Sequence, residues 1–233
     1  NGKSGLRVTR VLHIGDMQNG FMREDGNLYV KGAMDLIGPA DRFLRKTAGA
    51  FDHTFIVMDT HFTEEYVGSS EAEQFPLHCE FGTGDWELSV DTSDLPCRQF
   101  IMKNRFDMWS RAGDSTPEFR DPERRAAYEN LFHFVDDPLM PTRRMAREEF
   151  VQAIGQDGDP ARIEVTMIGV AADYCIRFAM EGWLARGARV TVLTDLTRGI
   201  GKEAPEVLSE ERYRPYLDGR LRAVDSTEFL REE

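Results

Sequence analysis

Residues 163–193 read IEVTMIGVAADYCIRFAMEGWLARGARVTVL, and the order of patterns inside them decides the fold. IEVTMI is apolar and rich in β-branched residues, as a buried strand is. GVAADYCIRFAMEGWLARG (169–187) has apolar residues at helical spacing and stops at Gly187, and RVTVL (189–193) is strand-like again. Two apolar strands joined by a helix, rather than by a tight turn, predict a parallel pair covered on both faces. The pattern repeats outward. RVTRVLHIG (7–15), HTFIVMD (53–59) and QFIMK (99–103) are further strands, and the fourth and fifth span 162–170 and 189–193. AMDLIGPADRFLRKTAGAF (33–51) is helical in spacing, with Gly38-Pro39 expected to delay the helix until after Pro39. The expected fold is α/β: a three-layer α/β/α, doubly wound, mostly parallel sheet of Rossmann-like type, one domain over residues 1–233. The polar stretch at about 104–158 is expected to hold two surface helices rather than a second domain. There is no internal repeat and no low-complexity linker.

Composition narrows the function. A chain of 233 residues, 41% hydrophobic, suffices for one sizeable core. With 29 basic against 41 acidic residues, its net charge is −12. That surface repels phosphate backbones and anionic lipid, so a small-molecule partner is expected, with neither nucleic acid nor membrane. No run is apolar enough to cross a bilayer. The first residue is Asn rather than Met, which leaves open a missing native start and a lost leader. Three scattered cysteines (Cys79, Cys97, Cys175) form no disulfide framework and fit a reducing cytoplasm.

In an open parallel sheet, ligands bind outside the carboxyl ends of the strands, near the switch in strand order. Those ends carry Asp16, Asp59 with His61, Lys103, Cys175 and Asp195. With Asp173 as N-cap, Cys175 falls in the first turn of a helix, where free N–H groups and the helix dipole favour a thiolate. A lysine would lower its pKa further, and a carboxylate would accept its proton. Alone, Cys175 reads more readily as a small buried hydrophobe than as a reactive thiol. Asp16 and Lys103 at the same sheet edge favour chemistry.

IGDMQNGFM, VMDTHF, FPLHCEFGTGDWEL, the lysine of IMKNRF and GVAADYCIRFAMEGWLARGARVTVLTDLTRG stand in the order found in one family. Together they resemble the nicotinamidase branch of the isochorismatase-like cysteine hydrolases, over about Val8 to Lys103 and Arg162 to Gly201. The resemblance implies an isochorismatase-like fold and a catalytic triad of Asp16, Lys103 and Cys175. It implies an oxyanion hole of the Ala171 and Cys175 N–H groups, with a cis peptide before Ala171. It implies a divalent metal, zinc first and manganese or iron(II) as alternatives, held by Asp59, His61 and His78. That metal would lie beside the substrate pocket. Glu71 is the candidate for a further ligand, with Glu73 and Ser70 nearby. One carboxylate and two imidazoles suit such an ion, although Asp-x-His alone is common and usually structural.

Phe21 and Phe75 are the candidates to sandwich a flat ring, or else are ordinary core aromatics. The sequence does not place Phe106 and Trp109. Gln18 and Asn19 are expected to support their loop, Asp195 and Thr197 to organise the sheet edge, Cys79 and Cys97 to be structural, and His13, His53 and His133 to be packed or exposed. The segment after Lys103 is longer and more charged than the family's, and Phe75 replaces a frequent tryptophan.

The implied activity is amidohydrolysis of a small aromatic carboxamide such as nicotinamide, through a thioester, by a cytoplasmic homo-oligomer. The alternative is a relative acting on another small amide or ureido compound, of maleamate, biuret or carbamoyl type. Isochorismatases proper act without this cysteine. A receiver-like signalling domain would explain Asp16, Asp59 and Lys103 but leave Cys175, His61 and His78 idle. A scaffold that keeps the fold without activity would not need an intact triad.

Overall fold

All five apolar runs become strands of one sheet. A computed structural model describes residues 7–114 and 116–233; the start of the chain, with its Asn1, lies outside them. The five are β1 (Thr9–Gly15), β2 (His53–Asp59), β3 (Arg98–Lys103), β6 (Ile163–Val170) and β7 (Arg189–Arg198). The short strands β4 (His133–Val135), β5 (Arg144–Ala146) and β8 (Leu221–Val224) complete a sheet of order β5-β4-β3-β2-β1-β6-β7-β8. Strands β3, β2, β1, β6, β7 and β8 pair in parallel, and β4 and β5 add antiparallel at one edge. The helices are α1 (Asn19–Met22), α2 (Ile37–Thr47), α3 (Thr63–Tyr66), α4 (Pro122–Glu129), α5 (Arg147–Ile154), α6 (Cys175–Ala185), α7 (Ala204–Leu208) and α8 (Ser226–Glu232).

Alternation along the strands builds two cores. On one face Leu12, Ile14, Ile56 and Met58 pack with Phe43 of α2 and Phe229 of α8. On the other, Val11, Phe55, Val165 and Met167 pack with Trp183 of α6, Val151 of α5 and Val207 of α7. Each such buried side chain contributes about 1.5–3 kcal/mol. Burial on both faces explains why these strands read as continuous apolar runs. None of the helices among the described residues is long and apolar enough to cross a membrane.

Four local expectations are corrected. Helix α2 starts at Ile37, ahead of Pro39; a first-turn N–H has no intrahelical acceptor, so proline loses nothing there. Helix α6 starts at Cys175 with Tyr174 at its cap, and the Asp173 side chain is used elsewhere. The 104–158 stretch holds the two expected helices but also β4 and β5, three-residue strands too short to show alternation. Strand β7 runs past Leu193 to Arg198, its polar end TDLTR hiding it, after a register shift opposite Met167–Gly169.

Candidate active site

Chain order β1, β2, β3 runs one way across the sheet from β1, and β6, β7, β8 the other, so the switch lies between β1 and β6. Asp16 follows β1, Lys103 ends β3 beside Asp59 at the end of β2, and Cys175 follows β6. Register brings them level. Gly15 pairs with Gly169, where a Cβ would lie 2.0 Å from the Gly15 oxygen, so only glycine allows this approach of β1 to β6. Lys103 Nζ, buried, lies 2.9 Å from Asp16 Oδ2, 3.4 Å from Asp59 Oδ1 and 3.5 Å from Cys175 Sγ. The other Asp16 oxygen, Oδ1, is buried without a hydrogen-bond partner, which leaves it free to take a proton.

The electrostatics correct one expectation. Burial, and then the Asp16 carboxylate, push the Cys175 thiol well above its ordinary pKa, against the smaller effect of Lys103. That direction favours a thiol over the expected thiolate before attack. Burial also raises the Asp16 carboxyl, opposed by Lys103. Burial alone would lower Lys103, but Asp16 and Asp59 outweigh it and hold the ammonium charged.

The turn from β6 into α6 contains a cis Val170–Ala171 peptide. The N–H groups of Ala172, Tyr174 and Ile176 bond to backbone carbonyls, which leaves those of Ala171 and Cys175 for another acceptor. The Asp173 carboxylate accepts N–H bonds from Ile200 (2.9 Å), Gly201 (2.8 Å) and Lys202 (3.0 Å), tying the loop after β7 to this turn.

The second constellation assembles because residues 60–62 lie beside 79–81. The His61 N–H donates to Cys79 O, and the Phe81 N–H donates to His61 O. His61 Nε2 and His78 Nε2 each lie 3.0 Å from Asp59 Oδ2, and Glu71 Oε2 lies 3.2 Å from His61 Nε2. One donor atom from each of Asp59, His61, Glu71 and His78 falls within 4.8 Å of all the others. The chemistry of this set fits a cation. Pro76 O can only accept, so His78 Nδ1, 2.7 Å away, carries the ring proton. A neutral ring then turns the Nε2 lone pair toward a carboxylate oxygen, and both Glu71 oxygens are buried without a hydrogen-bond partner. A divalent ion would satisfy all of these groups at once. Gln18, expected to support its own loop, braces this set instead: its amide bonds to both the N–H and the C=O of Asp59, at 2.8 Å each.

An apolar cavity of about 230 Å³ opens on Cys175 and Ala171. Phe21 and Phe75 both line it. So do Phe106 and Tyr174, together with Leu28, Tyr29, Val30, Lys31, Val170 and Ile200. Phe106 meets Phe75 edge-on at 5.8 Å and Tyr174 at 5.5 Å. The sequence had left Phe106 unplaced and missed Tyr174 and Ile200. Ile200 follows the true end of β7 at Arg198, which the sequence reading had stopped at Leu193, and nothing marked the loop of Leu28 to Lys31. Trp109 lies elsewhere, on α6, donating to Ala179 O at 3.1 Å. Asp195 accepts from Ser226 at the start of α8, away from the site. Cys79 and His13 are buried, Cys97 is exposed, and His53 and His133 are half-buried.

No family model matches the chain. The nicotinamidase/pyrazinamidase of Mycobacterium tuberculosis is 27% identical over 207 residues, covering 87% of this chain and 93% of that protein. The zinc complex of the Pyrococcus horikoshii pyrazinamidase superposes with a TM-score of 0.60 at 20% identity, over 93% of this chain and 98% of that one. The nicotinate complex of PnC1 from L. infantum gives 0.61 at 20% identity, over 95% and 96%. The chain is a homologue of the nicotinamidase/pyrazinamidases and has the isochorismatase-like α/β fold.

Proposed function

We propose that the protein is a metal-containing cysteine amidohydrolase that cleaves a small aromatic carboxamide such as nicotinamide to the acid and ammonia. The observation that carries this reading is Lys103 Nζ at 2.9 Å from Asp16 and 3.5 Å from Cys175, at the foot of an aromatic-walled cavity. The Cys175 proton passes to Asp16 Oδ1 as Sγ attacks the carboxamide carbon, and Lys103 offsets the charge that sulfur and Asp16 exchange. The carbonyl electron pair moves onto oxygen, facing the Ala171 and Cys175 N–H groups; each such donor typically contributes on the order of 100-fold in rate. Collapse breaks the C–N bond, and nitrogen leaves as ammonia with the proton from Asp16. Water then attacks the thioester, giving a proton to Asp16. The C–S bond breaks, and the proton returns to sulfur as the acid departs. A high thiol pKa suits this sequence, because sulfur ionises only as it attacks.

Asp59, His61, Glu71 and His78 would hold the divalent cation, for which zinc suits the nitrogen and oxygen donors best. When bound, such an ion supplies an electrophile for a ring nitrogen or a water. Three free cysteines support a cytoplasmic setting. Leu139 and Met140, exposed between β4 and β5, offer a homo-oligomer an apolar contact. A panel of nicotinamide, benzamide, maleamate and biuret, read by ammonia release, tests the substrate. Turnover of a linear amide with nicotinamide untouched would replace the aromatic reading. Mass spectrometry of quenched enzyme tests the thioester.

A further inference from the structure

The four cation-site residues are not held alike. Lys103 bonds to Asp59 Oδ1, Glu65 Oε1 lies 3.4 Å from His61 Nδ1, and Pro76 O fixes His78 Nδ1. Glu71 makes no well-aligned hydrogen bond on either oxygen and is held by its 3.2 Å approach to His61 Nε2, so it turns most readily of the four. It is also the most exposed of the four, at 8% against 0–3%. It lines a polar chamber of about 410 Å³ whose walls include Glu65, Asn104, Asp107, Gly68 and Ser110. Three carboxylates against the single guanidinium of Arg105 give that chamber a negative balance, which concentrates cations. The apolar cavity differs in both respects. None of the four residues lines it, and its walls are largely aromatic and aliphatic. A hydrated dication would lose its water there without replacement.

We propose that the polar chamber is the route by which a divalent cation reaches and leaves Asp59, His61, Glu71 and His78, with Glu71 as the ligand that swings. The amide uses the apolar cavity instead. This inference rests on the metal reading above, and its test separates the two.

The test plugs the chamber. A Cβ at Gly68 meets nothing within 4 Å, so Gly68→Trp adds bulk without a backbone clash; Ser110→Trp is a second, independent plug. Protein loaded with Co²⁺ or Zn²⁺ is challenged with excess chelator and release is followed in time, while affinity is measured separately at equilibrium. A barrier on a path changes entry and exit equally, so both plugs should slow release and uptake about tenfold or more and leave Kd within about twofold. Loaded plug variants should keep nicotinamide kcat/KM within about twofold, whereas Ile200→Trp, at the apolar cavity, should lower kcat/KM and leave release unchanged. Unchanged release in both plugs, slowed release in Ile200→Trp, or collapse of kcat/KM in the loaded plugs would each overturn the route. The last of these would make the chamber the amide's own entrance. Wild-type protein that takes up no cation at equilibrium would sink the metal reading first, and the route with it; the release and affinity arms require no turnover.

Discussion

Burial, and then the Asp16 carboxylate, raise the Cys175 thiol pKa against the smaller effect of Lys103, which favours a proton on sulfur before attack. Alanine fits its place, so Cys175→Ala is expected to abolish ammonia release while moving the thermal midpoint by only a few degrees; near-normal turnover would remove covalent catalysis. His13 carries a different lesson. Trp183 Nε1 donates to His13 Nδ1 at 3.1 Å, and burial, with Lys103 adding to it, lowers the pKa of this histidine from 6.5 to about 3. Below pH 6.5 the unfolded chain takes up a proton that the folded one refuses. Stability is therefore whole above that pH and falls progressively as pH drops toward 3, by up to about 5 kcal/mol from this residue. Urea unfolding at pH 7 and pH 4 should show a smaller loss for His13→Gln than for wild type. Equal losses would mean that His13 is not the buried neutral group described.

Helix α6 shows how an element can reverse a general rule. Gly182 lies in its middle, where alanine ordinarily gains about 1 kcal/mol. Here a Cβ would fall 2.0 Å from the Trp109 indole, itself covered by the Arg186 guanidinium at 3.6 Å. Gly182→Ala is expected to destabilise by about 1–3 kcal/mol in chemical denaturation, through overpacking. Pairing it with Trp109→Ala should cancel most of that loss, and additivity of the two changes would refute the contact. The same contact is how the divergent segment after Lys103 docks on the helix that carries Cys175. Periodicity revealed α6 itself but not this docking, since tryptophan and glycine 73 positions apart leave no joint signal in one sequence. Asp173 is similar. As a residue type it reads as an N-cap, yet it bonds to residues 200–202, a choice made by the neighbouring strand end.

At the scale of the molecule, a cation held at the proposed site would couple to folding. With the site filled at about 1,000 times Kd, binding adds about 4 kcal/mol to stability. For a chain of this length that is on the order of 10 °C in Tm. Thermal unfolding of chelator-stripped protein with and without Zn²⁺ should show such a rise, and His78→Ala should abolish it. A rise that survives in the variant would place the ion elsewhere. The sheet order explains why this linkage would span the fold: the proposed ligands hang from the end of β2 and the loop after it, while Asp59 also contacts Lys103 on β3.

The sequence alone determined the five long parallel strands, the helices α2 and α6 between them and which chemical groups stand at the strand ends, because these follow from local periodicity and from the rule that parallel sheets bind at their carboxyl edge. It could name Asp16, Lys103 and Cys175, Asp59, His61 and His78, and two of the aromatic walls. Only the tertiary structure decided that Lys103 reaches Asp16 across 87 residues of chain, that Phe106, Tyr174 and Ile200 close the cavity, and that burial pushes the thiol pKa up. Distance and charge state depend on what is stacked against a residue and how much water is removed from it, and neither is a property of its neighbours along the chain.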